Sequence, residues 1–309
     1  MVTVAVIGEG MVELSRRQSG TGIAGWNVGY GGDTLNSAIH LARFGVETRF
    51  ISAVGPDPLS RSLREAWAVE GLDLSHLLTD VDHQAGLYAI ETDAQGERSF
   101  AYWRGESAAR SILDLPGAEA ALAAAAEADL LYLSLISLAI LPPAGRERLF
   151  ALCRNVRSNG GQVAFDSNFR PLLWSSTEEA RATVEVIGPL IDIALPTLVD
   201  EVALFGPQRP DDVAARWRAW GVAEVAVKNG ADGCVIGGDG GAFRVTPARP
   251  IAAIDSSGAG DAFNAGYLAA RLNGRPAQRA AAVGHALAGW VIGQHGAIPA
   301  RTEEAPYGA

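Results

Sequence analysis

Residues 254–270 read Ile-Asp-Ser-Ser-Gly-Ala-Gly-Asp-Ala-Phe-Asn-Ala-Gly-Tyr-Leu-Ala-Ala, and this stretch decides how the rest of the chain is interpreted. Its first half is rich in serine and glycine, as a turn is, and its second half has high helix propensity. The pattern predicts that residues 258–261 lie at the N-terminus of a helix. The first N–H groups of a helix have no partner within it, and the helix dipole adds about half a positive charge there. This turn is therefore predicted to bind phosphate.

An acidic residue, Asp261, stands in the first turn of the predicted helix. An acid at this position usually does no more than stabilise the helix by about 0.3–1 kcal/mol. Asp261 follows Gly258, Ala259 and Gly260, however, where the backbone can approach a ligand closely. A carboxylate beside phosphate-binding amides supplies what phosphoryl transfer to an alcohol needs, a base for the hydroxyl proton and donors for the charge on the moving group.

The composition of the 309 residues indicates a large globular α/β protein, because 48% are hydrophobic and 19% are charged. A formal net charge of −10 argues against a nucleic acid or an anionic membrane as partner. The two cysteines, Cys153 and Cys234, lie far apart, which favours neither a disulfide framework nor a zinc site. No run has the length and apolarity of a membrane span, and the N-terminus lacks the features of an export signal. We therefore expect a cytoplasmic protein.

Predicted strands and helices alternate along most of the chain, which predicts one α/β domain over residues 1–309 with a mostly parallel sheet covered by helices on both faces. Ligands bind at the carboxyl ends of the strands in such a sheet. Several polar residues follow predicted strands at this edge, namely Asp166, Asn168, Arg170, Asp200, Lys228, Asp255 and Asp261. This coincidence is stronger evidence for a site than any single residue.

The segment 86–104 interrupts the alternation. Two strand-like runs are joined there by Asp93-Ala94-Gln95-Gly96, which predicts a β-hairpin with an exposed turn. Such a hairpin in an α/β chain indicates a flap, and flaps often cover active sites and exclude water.

Two phosphate-binding motifs of other folds do not fit. Gly8-Glu9-Gly10 follows a predicted strand as in a dinucleotide site, but position 13 is Glu where the third glycine belongs. A Gly-Lys-Ser/Thr sequence, which a Walker-A kinase requires, does not occur.

Further on, Gly29–Gly32 are predicted to form a turn before a helix over 33–44. Asp33 either caps that helix or meets a ligand.

Two motifs resemble those of the ribokinase-like (PfkB) sugar kinases, and the likeness covers nearly the whole chain. Residues 255–261 with Ala265-Gly266 match the C-terminal signature of that family throughout. Its N-terminal signature is matched by Gly31-Gly32, Asn36, Ala38, Gly45 and Gly55, with Thr34 where a smaller residue is commoner. The resemblance implies a ribokinase-like α/β fold with lid segments near 11–30 and 84–107.

Within this family the chain most resembles the 2-dehydro-3-deoxygluconate kinases. The resemblance rests on Gly31–Asn36, Tyr102-Trp103-Arg104, Asp166–Pro171 with Leu173-Trp174, and Gly296–Pro299. It implies ATP-dependent phosphorylation of the sugar acid at its terminal hydroxyl with Mg²⁺, allows a monovalent cation, and suggests a homo-oligomer formed through the lid. Gluconate-derived and galactonate-derived acids, which differ at C4, are both open as substrates.

The resemblance also assigns individual residues. Asp261 matches the catalytic base, and the backbone of Gly258, Ala259 and Gly260 matches the anion hole. Substrate positions are matched by Gly32, Asp33, Asn36, Tyr88, Tyr102, Arg104 and Arg170. Nucleotide positions are matched by Asn168, Lys228, Asn229, Gly230, Gly233, Ser257, Gly258 and Gly260. Many relatives carry Asn-x-x-Glu near magnesium, whereas this chain has Thr197-Leu198-Val199-Asp200, which makes Asp200 the candidate metal residue and leaves Thr197 without a role.

The charges of the predicted ligands support this assignment on physical grounds. ATP and a sugar acid are both anions, so an acidic protein must place cations beside them. The guanidinium groups of Arg104 and Arg170 suit a carboxylate, although either could equally form a surface salt bridge. Lys228 is the only lysine in the chain, and its position after a strand favours a compact charge near phosphate. Tyr88 and Tyr102 are equally compatible with a packing role.

Two other functions stay open. One is a kinase for a neutral sugar such as fructose or ribose, against which the two arginines argue. The other is a non-catalytic nucleotide-binding regulator, which has no need for a carboxylate at position 261.

Overall fold

The structure is a computed structural model that describes residues 2–16, 25–92, 98–249 and 251–308. Its strands are, in chain order, β1 (Thr3–Ile7), β2 (Met11–Arg16), β3 (Trp26–Gly31), β4 (Glu47–Val54), β5 (Leu77–Thr79), β6 (Gly86–Thr92), β7 (Arg98–Trp103), β8 (Leu130–Ser134), β9 (Gln162–Asp166), β10 (Ile193–Ala194), β11 (Glu224–Lys228), β12 (Cys234–Gly238) and β13 (Gly241–Val245). Its helices are α1 (Asp33–Arg43), α2 (Pro58–Val69), α3 (Ala118–Ala126), α4 (Leu135–Ala139), α5 (Pro143–Ser158), α6 (Thr177–Ile187), α7 (Leu198–Phe205), α8 (Pro210–Ala219), α9 (Ala259–Leu272) and α10 (Ala277–Ile292).

A nine-stranded sheet in the order β13-β12-β11-β10-β9-β8-β1-β4-β5 forms the centre of the molecule. Neighbouring strands from β5 to β11 in this order are parallel, whereas β12 pairs in antiparallel fashion with both β11 and β13. Because the chain returns through a helix between most parallel strands, their carboxyl ends meet at one edge. The predicted mostly parallel sheet is confirmed.

The two faces of this sheet are covered by different helices. In β1, Ala5 and Ile7 belong to the core that packs against α3, α5, α6 and α8, whereas Val4 and Val6 belong to the core against α1, α2, α9 and α10. This alternation follows from the two-residue period of a strand. Helices therefore lie on both faces, as the sequence predicts.

One predicted strand is shorter than expected. The sequence predicts a strand over 190–195, but β10 contains only Ile193–Ala194. Residues Gly188–Leu190 form a 3₁₀ turn instead. Ile191 N closes this turn by donating to Gly188 O at 3.1 Å, so it is not available to the sheet and the strand begins only after the turn.

A second, four-stranded sheet has the order β3-β2-β6-β7. Strands β6 and β7 pair in antiparallel fashion from Leu87 opposite Trp103 to Thr92 opposite Arg98, which confirms the predicted hairpin. Its predicted turn over 93–96 lies outside the described residues. The sheet contains the described strands of both predicted lid segments, but its action as a lid stays a prediction.

Helices α9 and α10 pack at very short range through glycine. A Cβ atom on Gly266 would lie 3.0 Å from Gly284 Cα, and one on Gly284 would lie 2.8 Å from Phe263 O. This close packing, predicted for the segment 277–293, anchors the helix that carries Asp261. Among the described residues, no helix is long and apolar enough to cross a membrane.

Candidate active site

The predicted turn before α9 forms a helix N-terminus. Gly258 occupies the N-cap position with φ of 68°, where only glycine is unstrained, and a Cβ there would lie 2.5 Å from the Cβ of Ala297. Gly258 has no side chain to cap the helix, so the first turn of α9 lacks an N-cap bond, although Ala259 N donates to Ser256 O at 3.4 Å. A Cβ on Gly260 would lie 3.6 Å from Lys228 Nζ, so the ammonium group lies directly beside this turn.

Asp261 is buried in the first turn of α9, with 9% of its surface exposed. Asn36 Nδ2 donates a hydrogen bond to its Oδ2 at 2.8 Å. Burial, reinforced by the negative charges of Asp33 and Asp166, raises the pKa of Asp261 to about 7. A carboxylate with this pKa can both accept a proton at neutral pH and hold it, which is the property of a general base.

Asp33 faces the site and does not cap α1. The N-cap residue is Gly32, and a Cβ on Gly32 would overlap the main-chain oxygen of Glu9. The Asp33 carboxylate accepts hydrogen bonds from Ser134 Oγ at 2.5 Å and from Asn168 Nδ2 at 3.0 Å. The capping alternative is therefore wrong, because the helix begins one residue earlier than capping by Asp33 requires.

A buried polar cluster lies within electrostatic reach of Asp261. Lys228 Nζ donates to Asp166 Oδ2 and to Asn264 Oδ1, both at 2.9 Å. Asn264 Nδ2 in turn donates to Asp166 Oδ2 at 2.7 Å and to the Tyr132 hydroxyl at 3.0 Å. The sequence analysis missed Asn264 and Tyr132. Asn264 carried a signal, since it stands three residues after Asp261 and so on the same face of an alanine-rich helix.

Most of the predicted nucleotide residues lie in or beside two tight turns, whereas Asn168 follows β9 and donates to Asp33. After β11, Asn229 N donates to Gly233 O at 2.8 Å, and a Cβ on Gly233 would overlap the main-chain oxygen of Val245. Before α9, Ser257 N donates to Asp255 Oδ1 at 2.7 Å. The first turn, with Gly230, follows Lys228 directly, and the second leads into Asp261. Their contact with nucleotide stays a prediction.

The second sheet contributes aromatic side chains at positions that the family resemblance assigns to substrate. The Tyr88 hydroxyl donates to Glu13 Oε2 at 2.5 Å, and its ring stacks on Tyr102 with centroids 6.0 Å apart. Burial raises the pKa of Tyr88, and the charges of Glu13 and Asp261 add to the effect. A Cβ on Gly31 would overlap the Tyr88 hydroxyl, so this side chain lies beside the segment that leads into Asp33.

Each of the two predicted carboxylate-binding arginines pairs with an acid of the chain itself. Arg104 Nη2 donates to Glu9 Oε2, and both side chains are buried. Arg170 Nη1 lies 3.6 Å from Asp200 Oδ1, and half of the Arg170 side chain is exposed. Glu9 was missed as a site residue, although its place after β1 matches that of the other polar residues at strand ends.

Asp200 lies in the first turn of α7, where Thr197 is the N-cap residue and makes no side-chain cap bond. Burial, with the nearby charge of Asp166, raises the pKa of Asp200 to about 6. No group of three or more His, Cys, Asp or Glu side chains that could hold a metal occurs in the part of the chain that the structure describes. Mg²⁺ bound to ATP takes most of its ligands from phosphate and water, so a single partly buried carboxylate fits this need.

Comparisons with known proteins agree with this geometry. Residues 1–304 match the model of the pfkB family carbohydrate kinases. The chain is 44% identical to 2-dehydro-3-deoxygluconokinase of Escherichia coli K12 and 43% identical to the enzyme of that name from Dickeya dadantii, with 96% of each chain covered.

Among solved structures, the chain is similar to a fructokinase from Vibrio cholerae O395 in its fructose, ADP and calcium ion bound form. The TM-score is 0.81 at 26% identity, with 97% of this chain and 96% of the other covered. The fold, the turn before α9 and the relatives agree, and the chain belongs to the pfkB family of carbohydrate kinases.

Proposed function

We propose that this kinase transfers the γ-phosphoryl group of ATP to the terminal hydroxyl of 2-dehydro-3-deoxy-D-gluconate, forming the 6-phosphate. The observation that carries the proposal is Asp261, a buried acid with a pKa of about 7 at the N-terminus of α9 beside Lys228. The choice of acceptor is supported by relatives of that name at 43–44% identity.

In the proposed reaction, Asp261 accepts the proton of the acceptor hydroxyl as its oxygen attacks the γ-phosphorus. The bond to the bridging oxygen breaks, and ADP leaves with that electron pair. The N–H groups of Gly258, Ala259 and Gly260 would donate to the phosphoryl oxygens, and Lys228 adds positive charge beside them. Asn36 holds the carboxylate of Asp261 in place through its hydrogen bond.

The remaining predicted residues complete the site. We assign the acceptor to Gly32, Asp33, Asn36, Tyr88, Tyr102, Arg104 and Arg170, and the nucleotide to Asn168, Lys228, Asn229, Gly230, Gly233 and Ser257. Asp200 would hold Mg²⁺, which neutralises charge on the phosphates when bound. The proposal also allows a monovalent cation.

The second sheet is proposed to be a lid on a single domain that spans residues 1–309. The exposed aromatic residues Phe100, Tyr102 and Trp103 on β7 support pairing of two copies through this sheet. We place the reaction in the cytoplasm, where ATP is available.

A neutral sugar is the second candidate acceptor, because Arg104 already has a counterion in Glu9. A screen of ATP consumption over 2-dehydro-3-deoxygluconate, its galactonate epimer, fructose and ribose tests both candidates. We expect turnover with the gluconate-derived acid to exceed turnover with any neutral sugar, and phosphorus NMR to show a primary phosphate ester. A higher kcat/KM for fructose or ribose would contradict the proposal.

A further inference from the structure

We propose that Glu9 sets how strongly the acceptor site prefers acids, because Glu9 and the carboxylate of a sugar acid compete for Arg104. This inference rests on the proposed function, since it assumes that Arg104 meets the acid end of the acceptor. Glu9 then acts as a specificity-determining residue.

The geometry of the pair is unusual for a purely structural ion pair. Glu9 is 1% exposed and Arg104 is 8% exposed. Only Arg104 Nη2 and Glu9 Oε2 bond to each other, while Arg104 Nε and Glu9 Oε1 are buried without a partner among the described residues. Buried polar atoms normally have partners, so each of these two atoms is suited to a ligand group.

Glu9 is fixed in position between the two sheets. A Cβ on Gly86 would lie 2.6 Å from Glu9 Oε1, and one on Gly32 would overlap the Glu9 main-chain oxygen. Gly32 is followed by Asp33, and Asn36 on the next turn of α1 bonds to the base. The main chain of Glu9 therefore lies against the segment that we assign to the acceptor, and its buried carboxylate lies between Gly86 and Arg104.

The consequence for selectivity follows from charge. When a sugar acid binds to Arg104, its carboxylate shares one guanidinium with Glu9, and the two negative charges repel each other. In a Glu9→Gln variant the amide keeps its shape and can still accept from Arg104, but the substrate carboxylate becomes the only counterion. The variant is expected to bind acids more tightly relative to neutral sugars.

The test compares two ligands that differ only at C1, 2-dehydro-3-deoxygluconate and 3-deoxy-D-fructose, in which a neutral CH₂OH group replaces the carboxylate. Calorimetry gives Kd for both with wild type and E9Q. We expect the ratio of Kd for the neutral ligand to Kd for the acid to rise about 10-fold in E9Q. An unchanged or lower ratio would overturn the inference.

Glu70→Gln is the matched control, because it removes the counterion of another buried arginine, Arg43, whose Nε and Nη2 donate to Glu70 at 2.7 and 2.8 Å. We expect both variants to lower Tm, since each leaves a buried charge unpaired. Only in E9Q should the sugar acid raise Tm by more than it does in wild type. An equal gain in both variants would show that Glu9 is merely structural.

If E9Q does not fold, a double variant with Glu9→Leu and Arg104→Leu replaces it, because this variant contains no unpaired charge. Its ratio of Kd for the neutral ligand to Kd for the acid should fall about 10-fold. Retention of the preference would overturn the inference. These measurements report binding and not turnover, so failure of the proposed function has a different signature. In that event wild type binds the acid selectively but does not phosphorylate it.

Discussion

The turn before α9 and the second sheet form two sides of one site but are built in opposite ways. Beside the turn, Lys228, Asp166 and Asn264 bond to one another in a buried cluster that leaves none of their side-chain N and O atoms without a partner. Directly after β7 of the second sheet, the Nε of Arg104 is buried without a described partner, and Tyr102 and Trp103 on β7 are exposed. On the first side, the polar side-chain atoms bond to one another within the protein. On the second side, some polar and aromatic groups stay available for a ligand or another molecule.

The difference supports the proposal that the turn before α9 performs the phosphoryl transfer and that the second sheet selects the acceptor. A preorganised cluster costs no rearrangement during phosphoryl transfer, so it suits chemistry that a whole family shares. Long side chains with spare polar atoms suit recognition, which differs from one substrate to another. The predictions below test this division, from the largest expected effect to the smallest.

Replacement of the base should have the largest effect. Asp261→Asn keeps the size of the side chain and can still accept from Asn36, but it cannot take a proton. We expect kcat to fall by about 10² to 10⁴, with KM values little changed. Steady-state kinetics with ATP and the sugar acid measures this. Turnover above a tenth of the wild-type value would contradict the assignment of Asp261.

Replacement of Lys228 should have the next largest effect. Lys228→Met leaves Asp166 charged, buried and without its counterion, so the free energy of unfolding should fall by about 3–5 kcal/mol. The double variant with Asp166→Asn removes both charges and should regain most of this stability while staying inactive. Urea unfolding with a parallel activity assay separates the two effects. A double variant that is as unstable as the single one would show that the charge pair is not the cause.

Arg170→Leu should affect acid acceptors alone. Half of the Arg170 side chain is exposed, so the substitution should leave Tm nearly unchanged. Loss of a charge-assisted contact should raise KM for the sugar acid by about 10- to 150-fold and leave KM for ATP and for neutral sugars unaltered. An equal rise for acid and neutral acceptors would assign Arg170 to the phosphoryl side, together with its neighbour Asp200.

The raised pKa of Asp261 predicts a pH dependence of both activity and stability. Activity needs the ionised form, so kcat/KM should rise about tenfold per pH unit below about 7 and level off above it. Between the ordinary aspartate pKa and about 7, the folded protein holds a proton that the unfolded chain has lost, so stability should fall as the pH rises through this range. Asp261→Asn should remove this loss, and an identical pH dependence of Tm in both proteins would contradict the assignment.

The smallest expected effect concerns motion of the second sheet. If β6 and β7 close over the acceptor, the sugar acid should slow hydrogen exchange of their amides by a few fold, while β8 in the central sheet shows no change. Exchange measured by mass spectrometry with and without the acid tests this. Identical rates would argue against a lid.

The sequence by itself determined the architecture of the sheet and the position of the helix N-terminus that carries Asp261. Alternating strands and helices predicted the parallel sheet, and the glycine turn before Asp261 predicted the helix N-terminus, because period, propensity and backbone freedom are local properties. The position of polar residues after strands predicted that they would meet, since parallel strands end at one edge. The residues assigned by family resemblance, among them Asp261 and Lys228, lie at this edge or in the second sheet beside it.

Only the tertiary structure decided which of these side chains bond to each other. Asn36 and Asp261 are 225 positions apart, and Glu9 and Arg104 are 95 apart, so no local pattern could reveal either pair. The same holds for the raised pKa of Asp261, which depends on burial and on charges brought in by other strands. Sequence analysis left open whether Arg104 binds a ligand carboxylate or forms a surface salt bridge, whereas the fold buries it beside Glu9. The partner could not be predicted, because ion pairing depends on distance in space and not along the chain.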